Sequence, residues 1–559
     1  MALVLDAVRR NRALVFTSCV AALASGLATT AAIALINARV NGRSGLSVSV
    51  WVLTVTLFAS SLASLLAKVT LNRLGARVIS SLRERMVRAL LSAPYAKVEA
   101  LGEAKIYAAL TEDLDALASM LGWIPSLLCS VVLVSGGLGY LVYLSPANSF
   151  VVGGIVGLAI AISLGIKART DRLLNVIRRL KSELFAVYES MLRGSKELRL
   201  SRQRRIHFYD HYASEVAAPL QRHTIRAHNW LSALDESVGL FVLLAVAAIV
   251  SDLGFSGDLG SATKSGYVIT ILFIQGPIRT IFDGARALQR GRVAASNIQN
   301  LGAFEAEATL PSTAPASEGA ASAGVLELRG ILYGYPREDA DRSFALGPID
   351  LTVRAGEILF IVGGNGSGKS TLAKVLTGLY SEHAGEIRLD GRRVPREGRD
   401  AYRDQFAAVF TDFHLFSQAL SRDGRVPDDD VIRDQLRRLR MDGKVDVKNG
   451  RLLTGKLSTG QSKRLAFLLA RMEDKIFYLF DEWAAEQDPD FREFFYEELL
   501  PELKRGNKAV ICITHDARYF HVADRVLQME DGVLTVMCGG ASRTKAVESI
   551  FKHEAGQSS

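Results

Sequence analysis

Cysteine is scarce in this chain, which has four among 559 residues. They are Cys19, Cys129, Cys512 and Cys538. The sequence holds no Cys-x-x-Cys pair and no cysteine–histidine spacing of the kind that binds a metal. This pattern argues against a disulfide framework and against a thiolate metal centre.

A cleavable leader is also not evident. The first apolar run, residues 13–36, is too long for the core of a signal peptide and lacks a convincing cleavage site. We therefore expect this run to remain in the protein as a membrane span.

Long apolar runs, by contrast, are abundant in the first half of the chain. Runs of about 20 apolar residues are long enough to cross a bilayer. Six are present, at residues 13–36, 48–67, 121–144, 149–166, 231–251 and 266–287. Any one alone could be a buried core helix, but six in one region predict an α-helical domain with six membrane spans.

The formal net charge of +9 is unevenly placed. Basic residues follow the second and fourth runs, whereas the loops on the opposite side hold few. The positive-inside rule therefore predicts that both termini and the long loops are cytoplasmic. Because this location accounts for the basic charge, we expect no nucleic-acid partner.

The second and fourth spans continue into long cytoplasmic helical patterns. Each pattern has a break, at residues 94–102 and 199–208, where a short helix could contact a cytoplasmic domain. A plain solvated loop is the alternative. The sixth span contains Gly276-Pro277, followed by Arg279 and Asp283, which share one helix face and can pair. These two charges face either the interior of the bundle or the cytoplasmic end of the helix.

Composition divides the chain into four parts. The membrane domain is predicted at residues 1–304 and a flexible linker rich in Ala, Ser, Pro and Gly at 305–324. Alternating strand and helix patterns predict an α/β P-loop ATPase domain at 325–547, and a disordered tail follows at 548–559.

The sequence GGNGSGKST follows an apolar strand pattern and precedes a helical one. Glycines at this spacing let backbone N–H groups surround phosphates at a helix N-terminus. Lys369 would reach the β- and γ-phosphates, and Ser370 would give its hydroxyl to Mg²⁺. The loop residues expected to bind nucleotide are Gly363, Asn365, Gly366, Gly368, Lys369, Ser370 and Thr371.

Two further buried strand patterns end in residues suited to nucleotide hydrolysis. The run IFYLFDE ends in Asp481, which would hold Mg²⁺, and Glu482, which would deprotonate the attacking water. VICITHD carries His515, which would contact the γ-phosphate; a satisfied core histidine is the alternative. The segment LSTGQ lies between the glycine-rich loop and IFYLFDE. It opens a helix whose N-terminus favours anions. Its candidate ligands are Ser458, Gly460 and Gln461, although the segment could also be only a helix cap.

In this order, the phosphate loop, LSTGQ, FDE and His515 resemble the nucleotide-binding domain of an ATP-binding cassette (ABC) transporter. The resemblance implies ATP and Mg²⁺ as cofactors and a helical subdomain within the ATPase domain. It also implies that Tyr335 stacks on adenine and that Asp488 belongs to a loop at the nucleotide. One such domain behind six spans is similar to a half-exporter, which works as a homodimer.

A narrower resemblance lies in DEWAAEQDPDFREFFYEELLPELKRGNKAVICITHDARYFHVADRV and in FAAVFTDFHLF. Both are similar to the cyclic-peptide exporter group, which includes exporters of lipopeptides and pyoverdine-type siderophore precursors of Gram-negative bacteria. Thr411 departs from the family, where a glutamine is usual at this position and contacts Mg²⁺ and the attacking water. A threonine is too short for these contacts, so Asp412 or a water molecule would supply them. Thr459 stands where the usual residue is glycine.

These observations leave three hypotheses for function. The first is ATP-driven export of a cyclic or nonribosomal peptide across the bacterial inner membrane. The second is a lipid or lipopolysaccharide flippase of the same architecture, and the third is an ATP-gated membrane protein that does not transport. Membrane lipids surround the protein in each case, whereas cargo identity and any periplasmic or outer-membrane partner stay open.

Overall fold

The computed structural model describes residues 12–40, 50–251, 260–300, 323–335, 344–396 and 399–537. The chain forms two compact units. The first comprises Met1–Leu90 and Glu103–Glu307, and the second comprises Leu91–Gly102 and Ala308–Ser559. Residues 305–322 of the predicted linker and the predicted tail lie outside the described residues.

The first unit is helical throughout its described residues. Its helices are α1 (Arg12–Val40), α2 (Val50–Ser92), α4 (Glu103–Ala108), α5 (Leu114–Leu144), α6 (Pro146–Arg193), α7 (Ser195–Leu200), α8 (Arg202–His211), α9 (Ala218–Val250) and α10 (Ser261–Asn300). Two wide π-type turns, Ala109–Asp113 and Tyr212–Ala217, lead into α5 and α9. The short helix α3 (Tyr95–Leu101) belongs to the second unit.

Five helical segments among the described residues are long and apolar enough to span a membrane. They are Arg12–Arg39, Val50–Ser92, Glu103–Leu144, Arg202–Val250 and Ser261–Asn300. The predicted fourth span, 149–166, lies within the 48-residue helix α6, but several of its side chains are outside the described residues. The helical membrane domain is therefore confirmed, and five of the six predicted spans correspond to these segments.

Small residues allow α5 and α10 to approach closely. A Cβ added to Gly284 would lie 2.4 Å from Leu127, and one added to Gly291 would lie 2.5 Å from Met120. Such contacts replace the hydrophobic driving force that is missing between helices in lipid. The structure pairs Asp283 with Arg286, three residues further on, at 3.1 Å.

The two predicted breaks differ in how well they were predicted. Helix α3 lies between Pro94 and Gly102, as the sequence indicates, and Gly102 has a φ of 76°. The second break was predicted too late in the chain, because the short helix there is α7 and α8 already begins at Arg202. The Ser201 hydroxyl caps α8 by accepting a hydrogen bond from the Arg204 amide at 3.2 Å.

The described residues of the second unit form three sheets. Its strands are β1 (Val325–Gly334), β2 (Ala345–Arg354), β3 (Ile358–Val362), β4 (Ala384–Leu389), β5 (Arg392–Arg393), β6 (Phe406–Val409), β7 (Val445–Lys448), β8 (Arg451–Thr454), β9 (Phe477–Asp481), β10 (Ala509–Ile513), β11 (Arg525–Glu530) and β12 (Val533–Met537). The main sheet has the order β12-β11-β3-β10-β9-β6, and the others are β2-β1-β4-β5 and β7-β8.

Besides α3, the described residues of this unit form six α-helices. They are α11 (Lys369–Leu376), α12 (Asp400–Arg403), α13 (Asp429–Arg438), α14 (Thr459–Met472), α15 (Pro489–Phe494) and α16 (Leu500–Arg505). Every residue of β3, β9 and β10 is buried, as expected for parallel strands covered on both faces. The ends of β3, β9 and β10 therefore meet at one edge, which is where the predicted site residues lie.

Candidate active site

The phosphate loop joins β3 to α11 through three glycines with positive φ angles. Gly363, Gly366 and Gly368 have φ values of 153°, 80° and 106°. A Cβ at Gly363 would lie 2.2 Å from the carbonyl oxygen of Met529, so this position requires glycine for space as well as for its backbone conformation. The loop thus takes the compact path that the sequence predicts.

Lys369, the first residue of α11, is 6% exposed and lies over this loop. Its ammonium group donates hydrogen bonds to the carbonyl oxygens of Gly363 and Gly364, each at 2.8 Å. A cation held at the centre of a glycine-rich loop is well placed to bind phosphate oxygens.

Asp481 ends β9 and is 3% exposed. Burial raises the pKa of its carboxyl group above the ordinary value, against a hydrogen bond from Ser370, and the charge of Glu482 raises it further. Its Oδ1 atom is buried and has no hydrogen-bond partner within the described part of the chain. A buried carboxylate oxygen beside a serine hydroxyl fits Mg²⁺, which prefers oxygen ligands.

Glu482 and His515 follow the ends of the neighbouring strands β9 and β10. The Nε2 atom of His515 lies 3.4 Å from Oε1 of Glu482, and both side chains are partly exposed. The Glu482 amide donates to the carbonyl of Ile513 at 3.0 Å. The structure therefore brings the predicted base and the predicted γ-phosphate contact together at the sheet edge.

Tyr335 lies just after β1 and beside the phosphate loop. Its hydroxyl is 3.1 Å from the Thr371 hydroxyl, and 46% of the residue is exposed. Its ring meets Tyr333 edge-on, with a centroid separation of 5.5 Å. An exposed aromatic ring at this place is available for stacking.

The LSTGQ segment forms the N-terminus of α14. Ser458 caps this helix by accepting from the Gln461 amide at 3.3 Å, and the Gln461 side chain accepts from the Ser458 amide at 3.1 Å. This is a reciprocal capping box. A Cβ at Gly460 would lie 2.7 Å from the carbonyl oxygen of Glu486, so glycine is needed for this close approach.

A network connects the LSTGQ segment to the chain after Glu482. Gln487 donates to the Gly460 carbonyl at 3.0 Å and accepts from Arg464 at 2.9 Å. Arg464 also pairs with Asp488. Asp488 caps α15 by accepting from the Phe491 amide at 2.9 Å. Partial burial opposes a lower pKa for Asp488, but this bond and the charge of Arg464 outweigh it and hold the pKa below its ordinary value.

Thr411 and Asp412 lie just after β6, at the position where the sequence departs from the family pattern. The Thr411 hydroxyl lies 3.4 Å from the carbonyl oxygen of Asp481, which it reaches as a hydrogen-bond donor. Asp412 is exposed, and its charge is one of the influences that raise the pKa of Tyr95, after burial. Thr411 therefore contacts the backbone of the predicted metal ligand, and Asp412 lies near α3.

The sequence did not reveal the roles of Lys463 and Trp483 beside Glu482. The Lys463 ammonium group donates to the Glu482 carbonyl at 2.9 Å, and the Trp483 indole donates to the Lys463 carbonyl at 2.8 Å. A large aromatic residue directly after an acidic pair was the available signal. The contact itself joins residues about twenty positions apart, which local patterns do not reveal.

Helix α3 packs on the helix that begins at Lys369. Glu99 accepts hydrogen bonds from Lys374 at 2.8 Å and from the Tyr380 hydroxyl at 2.5 Å. The rings of Tyr95 and Tyr380 lie 6.1 Å apart, and the Lys374 ammonium is 5.3 Å from the Tyr95 ring. The segment between α2 and α4 thereby contacts α11, the helix that follows the glycine-rich loop.

Two family models match the chain. One is described as ABC transporter and matches residues 346–485; the other is described as ABC transporter transmembrane region and matches residues 12–278. The ATP-binding protein SyrD of Pseudomonas syringae pv. syringae is 33% identical over 533 residues, which cover 93% of this chain and 94% of that protein.

More distant similarities also extend over most of the chain. The ATP-dependent lipid A-core flippase of Escherichia coli K12 is 23% identical and covers 88% of this chain and 86% of its own. A solved bacterial Atm1-family ABC exporter with ATP bound superimposes with a TM-score of 0.72 at 19% identity, covering 98% of both chains. The fold likeness and the SyrD match over nearly the whole chain agree with the two family models: this chain belongs to the ABC transporter family and is an ATP-hydrolysing half-exporter.

Proposed function

We propose that this protein uses ATP hydrolysis to export a cyclic or nonribosomal peptide, such as a lipopeptide or siderophore precursor, across the inner membrane of a bacterium. The proposal places both termini in the cytoplasm, as the distribution of basic residues favours. The main support for coupling between ATP hydrolysis and transport is the contact of Glu99 with Lys374 and Tyr380. It ties a segment between two membrane helices to the helix of the phosphate loop.

The chemistry follows from the residues at the sheet edge. Lys369 and the loop amides would bind the phosphates, and Ser370 with Asp481 would hold Mg²⁺, which neutralises phosphate charge. Glu482 would orient the attacking water and take its proton. His515, 3.4 Å from Glu482, would hold that carboxylate and contact the γ-phosphate.

A cavity lined by both polar and apolar residues supports a cargo path within the membrane domain. Its volume is about 300 Å³. Both of the prolines that lie inside α5 and α10, Pro125 and Pro277, line it, and each leaves a backbone carbonyl without its helical partner. The other polar lining residues are Ser25, Ser64, Lys68, Ser126, Ser130 and Thr280. Polar groups at membrane depth mark transport pathways, and this cavity suits the amides and hydroxyls of a peptide.

The proposal includes a homodimer. The chain has one phosphate loop and one LSTGQ segment, separated by about ninety residues. In a head-to-tail pair, Ser458 and Gly460 of one chain would cap the ATP held by Lys369 of the other. A two-fold pair is the commonest oligomer symmetry. The exposed N-terminus of α14 is consistent with this role.

The function is tested with the purified full-length protein in proteoliposomes. We expect ATPase stimulation and ATP-dependent uptake into inside-out vesicles with a cyclic lipopeptide or a siderophore precursor peptide. Stimulation by lipid A-core but by no peptide would replace this proposal with the flippase hypothesis. ATPase without movement of either cargo would favour a protein that does not transport.

The cavity can be tested in the same vesicles. Ser126→Leu narrows the cavity and removes a hydroxyl, so peptide uptake should fall at least several-fold while basal ATPase persists. Thr54→Val is the matched control, because Thr54 lies on an exposed face of α2 and its hydroxyl bonds only within its own helix in the described structure. Equal uptake by both variants would place the cargo path elsewhere.

A further inference from the structure

The backbone of Glu482 has an unusual conformation for a residue other than glycine. Its φ and ψ angles are 49° and 36°, in the left-handed region. Side chains with a Cβ adopt this region rarely, and it persists where the surrounding structure enforces it. The direction of the Glu482 carboxylate therefore depends on whatever holds this peptide unit in place.

Lys463 holds the carbonyl side of Glu482. It lies on α14, is 2% exposed and donates from its ammonium group to the Glu482 carbonyl at 2.9 Å. The carboxylate of Glu486 lies farther from the ammonium, at 3.9 Å. A buried ammonium is costly unless its donors are satisfied, so this hydrogen bond fixes Lys463 and Glu482 to each other.

Trp483 forms a second hydrogen bond between this segment and α14, with the donor now on the Trp483 side. Its indole N–H donates to the Lys463 carbonyl at 2.8 Å. The ring is fully buried and stacks on Phe495 with centroids 4.2 Å apart. Two hydrogen bonds thus run between α14 and residues 482–483, one from each side.

We propose that Lys463 is a positioning residue for Glu482 and that Trp483 orients Lys463. Helix α14 begins with the LSTGQ segment, four residues before Lys463. In the homodimer of the proposed function, on which this step rests, that segment meets the ATP of the other chain. Lys463, Glu482 and Trp483 form a clamp. Through it, the direction of the Glu482 carboxylate in one ATP site depends on whether the LSTGQ segment of the same chain contacts ATP in the other site.

The clamp is tested by basal ATPase of the full-length protein without cargo, so the outcome does not depend on the cargo proposal. Lys463→Met keeps chain length but removes the donor. We expect kcat to fall about 10- to 100-fold, since small misplacements of a catalytic group cost up to about 10² in rate. The affinity for a fluorescent ATP analogue should stay within about twofold.

Two variants separate positioning from general stabilisation. Lys463→Gln keeps a donor and should recover much of the lost kcat. Trp483→Phe keeps a ring but removes the indole donor, so kcat should fall by a smaller factor; it also provides the test if Lys463→Met fails to fold. In single-turnover assays on a Glu482→Gln background, Lys463→Met should cause no further loss, because residues acting as a unit are not additive.

Three results would each overturn the proposal. They are a wild-type kcat in both Lys463→Met and Trp483→Phe, the same fold loss from Lys463→Met with and without Glu482→Gln, or a Lys463→Gln variant as slow as Lys463→Met at equal thermal stability.

Discussion

The phosphate-loop side and the LSTGQ side of the ATPase unit are built differently. On the first side, Oδ1 of Asp481 and the hydroxyl of Ser367 are buried without a hydrogen-bond partner among the described residues. On the second, Ser458 and Gln461 bond to each other and Gln487 bonds to the Gly460 carbonyl. Buried polar atoms without partners cost free energy, so the first side gains from binding a ligand. The Ser458, Gln461 and Gly460 groups named here have partners within the chain, so they need no ligand until another surface meets them.

The largest effect is expected on the phosphate-loop side. Glu482→Gln keeps shape and a carbonyl acceptor but cannot take a proton, so turnover should fall by about 10²–10⁴. ATP binding should survive, and the variant should trap ATP in a closed dimer. Lys369→Ala is the contrasting variant, because loss of the central cation should weaken ATP binding itself. Rates near wild type for Glu482→Gln would move the base elsewhere, with Asp412 the first candidate.

The LSTGQ side should show a different kind of defect. Gly460→Ala places a Cβ 2.7 Å from the Glu486 carbonyl, which forces this segment to shift. We expect ATPase to fall at least tenfold while each chain still binds ATP at its own phosphate loop. Equilibrium binding and steady-state hydrolysis, measured on the same preparation, check this.

Mixing variants tests whether the two sides come from different chains. A dimer of one Lys369→Ala chain and one Gly460→Ala chain contains one site with both sides intact. Co-expressed chains carrying two different tags should therefore regain hydrolysis that neither variant shows alone. A mixed dimer as inactive as its parents, or an ATPase-active monomer by mass measurement, would contradict the head-to-tail pair.

A smaller effect on hydrolysis is expected at α3, which belongs to neither side. Tyr95→Ala with Glu99→Ala removes the contacts to Tyr380 and Lys374. Basal ATPase should change by less than about threefold, but cargo should no longer stimulate it and export should fall. Lys105→Ala on the adjoining helix α4 is the control. The pair Tyr95→Ala and Leu101→Ala should act similarly, and normal export by both double variants would exclude α3 as the coupling element.

The second predicted break gives the matching comparison. Phe208, the last residue of that predicted break, and its neighbour Tyr209 lie in α8, so the test uses the short helix α7 instead. Leu200 ends α7 and is 88% exposed, which suits contact with another surface. Leu200→Ser should reduce cargo stimulation if α7 also transmits motion, and unchanged stimulation would assign coupling to α3 alone.

The smallest effect concerns pH. Partial burial would raise the pKa of Glu99, but its bonds to Lys374 and Tyr380 hold that pKa below the ordinary 4.5. Burial would lower the pKa of Lys374, but its bond to Glu99 raises it above 10.5. The stabilisation from Glu99 is thus lost only below about pH 4.5, and that from Lys374 only above about pH 10.5. Cargo stimulation of ATPase should be nearly constant from about pH 6 to 9, after correction for basal activity; a transition in this range that Glu99→Ala removes would contradict the assignment.

Local patterns predicted the elements of this site better than their connections. The glycines of the phosphate loop and the two acids at the end of β9 have sequence signals, because backbone conformation and strand burial demand particular residues nearby. Pro94 and Gly102 likewise predicted the bounds of α3. Lys463 could not be assigned, since its partner is a backbone carbonyl nineteen positions away that any residue could supply.

The errors have physical reasons. The second break was placed at a basic, polar stretch, whereas the chain turns at Gly194 and Ser201 around a helix of six residues. The sequence also allowed Asp283 to pair with Arg279 four residues earlier, and the structure shows it with Arg286. Both spacings fit one helix face, so sequence alone does not choose between them.

The π-type turns of the helical unit, Ala109–Asp113 and Tyr212–Ala217, each correspond to one surplus residue in an otherwise regular helix. Both stand where the chain returns toward its next span. Deleting one residue inside such a turn converts it into an ordinary α-helical turn and keeps the facing of the helix on either side, whereas a deletion a few turns later rotates every following side chain by about 100°. These turns are therefore the places where the length of each return helix can change during evolution without rearranging the bundle.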